Sequence, residues 1–173
     1  MFPRESRPAS HWLLVVLEAN INAAFHVAYR VTWNRADAQD VVQEAFIKAL
    51  LRVDQLREPV RARSWLLSIT YREALMNIRA RRDVPTDPAG FEALPGRLGD
   101  PADAVLVSEL ASEINTAIGR LPELLRMAFV LRDVEELPIA QVADILGVSI
   151  SASKMRVSRA REQLRIDLRD ATR

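Results

Sequence analysis

Between Val84 and Pro101 the chain carries four prolines and three glycines, and no helical or strand period survives such punctuation. The break constrains the fold more than any other feature. It splits 173 residues into a stretch at 1–83 and another at 105–173, each sized for one small domain, with 84–104 reading as a flexible linker.

On both sides of the break the apolar residues recur at helical spacing. In 11–33 they are Leu13, Leu14, Leu17, Ile21, Ala24, Phe25, Ala28 and Val31, which predicts a helix interrupted at Asn34-Arg35. In 36–51 they are Val41, Val42, Ala45, Phe46, Ala49 and Leu50. A third helix is predicted over 62–82 through Trp65, Leu66, Ile69, Ala74, Leu75 and Ile78, with Pro59 ahead of it. Beyond the linker come helices at 102–118, one with Pro122 near its first turn, 138–146 and 150–168. Alternating β-branched runs are absent, so the expected class is all-α, two small helical domains joined by a linker. The apolar run Trp12–Leu17 is six residues long and ends at Glu18. A secretory core needs roughly 7–15 residues and a membrane helix about 20, so a soluble, cytoplasmic protein with no membrane insertion is expected.

Composition removes several chemistries. There is no cysteine, and His11 and His26 are the sole imidazoles, without HExxH or ExxH spacing. Thiolate zinc sites, iron–sulfur clusters and cysteine nucleophiles are excluded, and neither metal catalysis nor any cofactor is expected. Five glycines form no phosphate-binding loop. No nucleophile–base constellation is visible, so the chain reads as a binding protein and not an enzyme. The formal net charge of +1 conceals a layout: +4 over 1–83, −5 over 84–118 and +2 over 119–173. Of the 24 basic side chains only Lys48 and Lys154 are lysine; the rest are arginine, the planar bidentate donor used against phosphate and guanine.

Residues 138–161 have the makings of a helix-turn-helix. Two helices meeting steeply need a small residue at the contact and a permissive one in the turn; Ala143 and Gly147 supply them four residues apart. Val142, Ile145, Leu146 and Val148 form the inward side. Ser149 or Ser151 can cap the second helix, leaving its amide groups for a phosphate. That helix holds Lys154, Arg156, Arg159, Arg161 and Arg165 against Glu162. A solvated arginine-rich surface helix is the plain alternative; the spacing, turn and charge together point to a major-groove reader.

With these residues in view the sequence resembles a known family. Leu121-Pro122-Glu123-Leu124-Leu125-Arg126 through Glu135, followed by the helix-turn-helix, is similar to region four of bacterial RNA polymerase sigma factors in the extracytoplasmic-function (ECF) group of the sigma-70 family. Independently, Ala36-Asp37-Ala38-Gln39-Asp40-Val41-Val42-Gln43-Glu44-Ala45-Phe46, the segment Arg63-Ser64-Trp65-Leu66-Leu67-Ser68-Ile69 and the basic run Arg79 to Arg82 resemble region two. The two matches cover about 11–82 and 105–168 in the family's order.

The resemblance implies a promoter-specificity factor. The 1–83 domain would dock on the β′ clamp helices of core RNA polymerase and melt the minus-ten element; the 105–173 domain would meet the β flap and read the minus-thirty-five element of promoter DNA. An anti-sigma factor is an expected further partner. Asp37, Asp40, Gln43 and Glu44 would face the polymerase, their acidic spacing being that of one helical stripe. Arg72, Asn77, Arg79, Arg81 and Arg82 would meet minus-ten DNA, and the loop Leu56–Arg63 would line the pocket for a flipped base. On the second unit Ser149 and Ser151 would hold phosphate. Lys154, Met155, Ser158 and Arg159 would face bases, with Arg156 and Arg161 serving phosphate or structure. Four residues depart from the group: Arg72 where Asn is usual, Met76 in a polar place, Ala152 for Thr, and Ser153 where an apolar residue packs. The alternative reading is a helix-turn-helix regulator that binds duplex DNA without polymerase.

Overall fold

A computed structural model describes residues 9–56, 58–81 and 104–171. The expected linker at 84–104 falls almost wholly outside the described residues, as does Arg82. Every regular element among the described residues is helical: α1 (Ala9–Ala19), α2 (Ile21–Thr32), α3 (Arg35–Leu51), α4 (Ala62–Arg81), α5 (Ala104–Arg120), α6 (Glu123–Phe129), α7 (Ile139–Leu146) and α8 (Ile150–Ala171). Contacts divide the chain into two compact units, the first carrying α1–α4 and the second α5, α6, the first half of α7 and α8.

In the first unit the helix expected over 11–33 is two helices, bent by 53° at Asn20. The Asn20 side chain explains the break. Its Nδ2 donates to Val16 O at 2.8 Å, and its Oδ1 accepts from Arg63 Nε at 2.9 Å. An asparagine that bonds locally competes with the helix ladder. Asn34 caps α3, its Oδ1 accepting from the Asp37 backbone N–H at 3.0 Å. Leu13 and Leu17 of α1, Ala45 and Ala49 of α3, and Leu66 and Ile69 of α4 form one buried cluster, with Trp12, Phe46, Val53 and Trp65 packed against it. Ala24, Ala28, Ala38, Ala45, Ala49 and Ala74 are fully buried, and these small side chains let the helices approach closely. Trp65 therefore serves the core, as its stripe predicts. Leu50, counted with the apolar stripe of 36–51, is exposed instead: it sits beyond the arc that Ala45 and Ala49 turn inward.

In the second unit α5 ends at Leu121-Pro122, where Pro122 has no N–H to lose. Arg126 Nη1 donates to Gly119 O at 3.3 Å and Leu121 O at 3.1 Å, satisfying carbonyls that the end of α5 leaves open. After α6 the backbone widens into a π-helical turn, Val130–Val134, closed by Glu135 N–H to Val130 O at 2.8 Å. Glu136 follows with φ 55°, and Arg132 Nη1 holds Leu137 O at 2.8 Å, so the chain reverses into α7. Val142 and Ala143 are buried. Gly147 has φ 65° in the turn before α8, the left-handed backbone that glycine adopts freely. No single helix among the described residues is long and apolar enough to cross a membrane.

Candidate polymerase-docking and DNA-reading faces

On α3, residues 40, 43, 44, 47 and 51 fall on one side of the helix, and all five side chains are exposed. The stripe starts polar and acidic, with Asp40, Gln43 and Glu44, and ends apolar, with Ile47 at 50 % and Leu51 at 79 % exposure. Asp37 departs from it. It is buried, and its carboxylate pairs with Arg81 in the last turn of α4. Burial raises the Asp37 carboxyl above its ordinary value, with the Arg81 charge opposing and Asp40 adding to the rise. Two of the expected site residues therefore face each other inside the unit: Asp37 from the docking set and Arg81 from the DNA set.

On α4, Arg72, Met76 and Arg79 are exposed four and three residues apart and form a second stripe. Asn77 lies off this stripe, more than a quarter turn from Met76, half-buried, with its Oδ1 enclosed and without a hydrogen-bond partner. At the start of α4, Arg63 is held by Asn20, and Ser64 Oγ donates to Arg61 O at 3.1 Å. The segment before it is a 3-10 turn, Pro59–Arg61, whose Arg61 Nε meets Glu58 Oε2 at 2.9 Å.

In the second unit Ser149 is the cap of α8, its Oγ accepting from the Ala152 backbone N–H at 3.2 Å. Ser153, Val157, Ala160 and Leu164 form the buried seam of α8. Ser151, Lys154, Met155, Ser158 and Arg159 are exposed away from it. Arg156 is half-buried beside the seam, and its Nη1 is enclosed without a partner. Arg161 is tied elsewhere: its Nε donates to Asp133 Oδ2 at 3.0 Å, and that bond raises its pKa.

The stripe expected from Asp40, Gln43 and Glu44 did not include Ile47 and Leu51, which the structure places on the same side of α3. Their signal was present, since both continue the spacing from Asp40 and Glu44 while lying off the buried arc. Among the described residues no group of three or more His, Cys, Asp or Glu side chains is placed to hold a metal ion.

Both halves match family models: Sigma-70 region 2 over residues 16–84 and Sigma-70, region 4 over residues 111–164. The ECF RNA polymerase sigma factor SigW of Bacillus subtilis (strain 168) is 32% identical over 157 residues, which span 84% of this chain and 83% of that protein. The chain belongs to the sigma-70 family, in its ECF group. The ECF RNA polymerase sigma-E factor of Escherichia coli (strain K12) is 33% identical over 137 residues, 74% of this chain and 72% of that protein. Among solved structures, RpoE of Bartonella quintana in complex with the anti-sigma factor NepR shares the fold, with TM-score 0.70 at 24% identity over 91% of this chain and 94% of that one. CnrH, in complex with the cytosolic domain of CnrY, gives TM-score 0.63 at 25% identity over 92% and 88% of the two chains. As an ECF sigma factor the protein gives RNA polymerase its promoter specificity, working with the core enzyme and promoter DNA. A duplex-binding regulator independent of polymerase is not favoured, because the first unit matches a sigma region too.

Proposed function

We propose that 1–83 forms the docking and minus-ten domain of this sigma factor, 84–104 its linker, and 105–173 its minus-thirty-five domain. The observation that carries this division is the placement of exposed Asp40, Gln43 and Glu44 along one stripe of α3, while α8 turns Ser151, Lys154, Met155, Ser158 and Arg159 away from its buried seam. The α3 stripe suits a basic partner surface, which we assign to the β′ clamp helices, and the β flap is assigned to the second domain. Arg72, Asn77 and Arg79 supply the minus-ten contacts, with Arg82 beyond them. Arg156 and Ser149 support the phosphate side of α8. The factor does no catalysis of its own. It works in the cytoplasm, and an anti-sigma partner holds it there, a reading supported by the complex of CnrH with a cytosolic partner domain.

Each domain alone offers few contacts, so useful promoter affinity arises when core holds both at fixed spacing. Run-off transcription with core enzyme tests the assignment. Wild type directs initiation from a cognate promoter and comigrates with core. Asp40→Lys/Glu44→Lys abolishes comigration while helix content stays unchanged. Retained core binding by that variant overturns the docking assignment.

A further inference from the structure

Met155 is a large apolar side chain, 53 % exposed, on a helix face whose N-terminal part also carries Ser151, Lys154, Ser158 and Arg159. Its angular place is particular. At about 100° per residue, the buried seam of Ser153, Val157, Ala160 and Leu164 lies on one side of α8, and Met155 stands about half a turn from it. Lys154 and Arg156 stand to either side, each about a quarter turn from Met155. When the helix enters a major groove with its seam facing the protein, the residue opposite the seam reaches the groove floor. The flanking cations turn toward the walls, where the phosphates are. Position 155 also lies in the second turn, within the N-terminal part of the helix that a helix-turn-helix presents to base edges. The Ser149 cap fixes the start of that helix.

A thioether has no useful donor and only a weak acceptor, so it gains little from guanine, adenine or cytosine edges. The one apolar group on the major-groove floor is the C5-methyl of thymine. From these placements we infer that Met155 reads a thymine methyl in the minus-thirty-five element and sets a thymine preference there. The inference rests on α8 being the groove-reading helix.

The test uses holoenzyme assembled with core polymerase and a promoter library randomised across the minus-thirty-five element. Wild type enriches thymine at one position. Replacing that thymine by deoxyuridine, which removes the methyl alone, weakens binding about fourfold, the worth of one buried methyl. Met155→Ala and Met155→Ser bind thymine and deoxyuridine promoters equally, whereas Met155→Leu keeps the preference. Lys154→Ala and Arg159→Ala weaken both promoters alike. If wild type ignores the thymine-to-deoxyuridine change at every position while Lys154→Ala and Arg159→Ala still weaken binding, the methyl inference is overturned and the helix assignment stands. If none of these variants alters dependence on the element, the helix assignment fails and the inference with it.

Discussion

Asp37, in the first turn of α3, is ion-paired with Arg81, in the last turn of α4, so the start of one candidate functional helix is tied to the end of the other. Asp37 is 3 % exposed, and its raised pKa says that burial outweighs the arginine's pull. The native state then takes up a proton at higher pH than the unfolded chain, whose value is near 3.8. Asp37 therefore favours folding below 3.8, and that contribution is lost as pH rises through the native value. Urea unfolding across pH will show it: the stability of wild type relative to Asp37→Asn falls over that window and is level above it. Arg81→Met leaves the carboxylate buried without its cation and costs about 1–3 kcal/mol at neutral pH. Asp37→Asn in the same chain recovers part of that loss. Because the carboxylate points inward, Asp37→Asn also leaves core binding unchanged, in contrast to Asp40→Lys/Glu44→Lys.

Arg161 and Arg159 are two residues apart on α8 and have different employment. Arg161 donates to Asp133, while Arg159 is exposed on the outward face. Duplex binding by the full chain, titrated with salt, separates them. Arg159→Ala lowers the slope of log affinity against log salt by about 0.9, the loss of one cation from the DNA interface. Arg161→Ala lowers it much less, because its charge is already matched by a carboxylate. Equal slopes would return Arg161 to the phosphate-binding set.

The architecture was legible because helical stripes, capping residues and turn glycine act locally: Asn34, Pro122, Ala143, Gly147 and Ser149 each sit where their chemistry places them. What the sequence concealed were pairings across long separations. Nothing in the spacing Asp37-Asp40-Glu44 distinguishes an inward carboxylate from an outward one, and the partner that turns Asp37 inward arrives from another helix. The bend at Asn20 was hidden for the same reason, since apolar spacing continues through it while Arg63 holds the side chain from 43 positions away. Leu50 was counted with the inward stripe because its spacing continues from Phe46, whereas Ile47 and Leu51, outside that stripe, carry the exposed end of α3.

Ser153 lies on the inner seam of α8, wholly buried, and its Oγ has no hydrogen-bond partner. A hydroxyl enclosed without a partner loses its hydration for no return. Ser153→Ala removes the group and little volume, and it raises stability by about 1 kcal/mol in chemical denaturation. DNA affinity at fixed temperature should not change, because position 153 faces away from Met155.

Among the described residues, two other than glycine hold left-handed backbone, Trp33 at φ 52° and Glu136 at φ 55°, and their substitutions by glycine should have opposite outcomes. A side chain in that region costs roughly 1–2 kcal/mol, part of which glycine returns as unfolded-state entropy. Glu136 is exposed and follows the π-helical turn, so Glu136→Gly relieves the backbone and raises Tm, a gain of about 0.5–1 kcal/mol. Trp33 ends α2 with its N–H on Tyr29 O at 2.8 Å, its ring edge-on to Tyr29 at 5.8 Å and beneath the Arg30 guanidinium at 5.6 Å. Trp33→Gly gains the same relief but loses an aromatic pair, a cation–π contact and half a buried indole. Those losses exceed the relief by about 1 kcal/mol or more. Thermal unfolding of the two variants side by side decides it: a Trp33→Gly protein more stable than wild type would show that the aromatic corner contributes less than the backbone strain it tolerates.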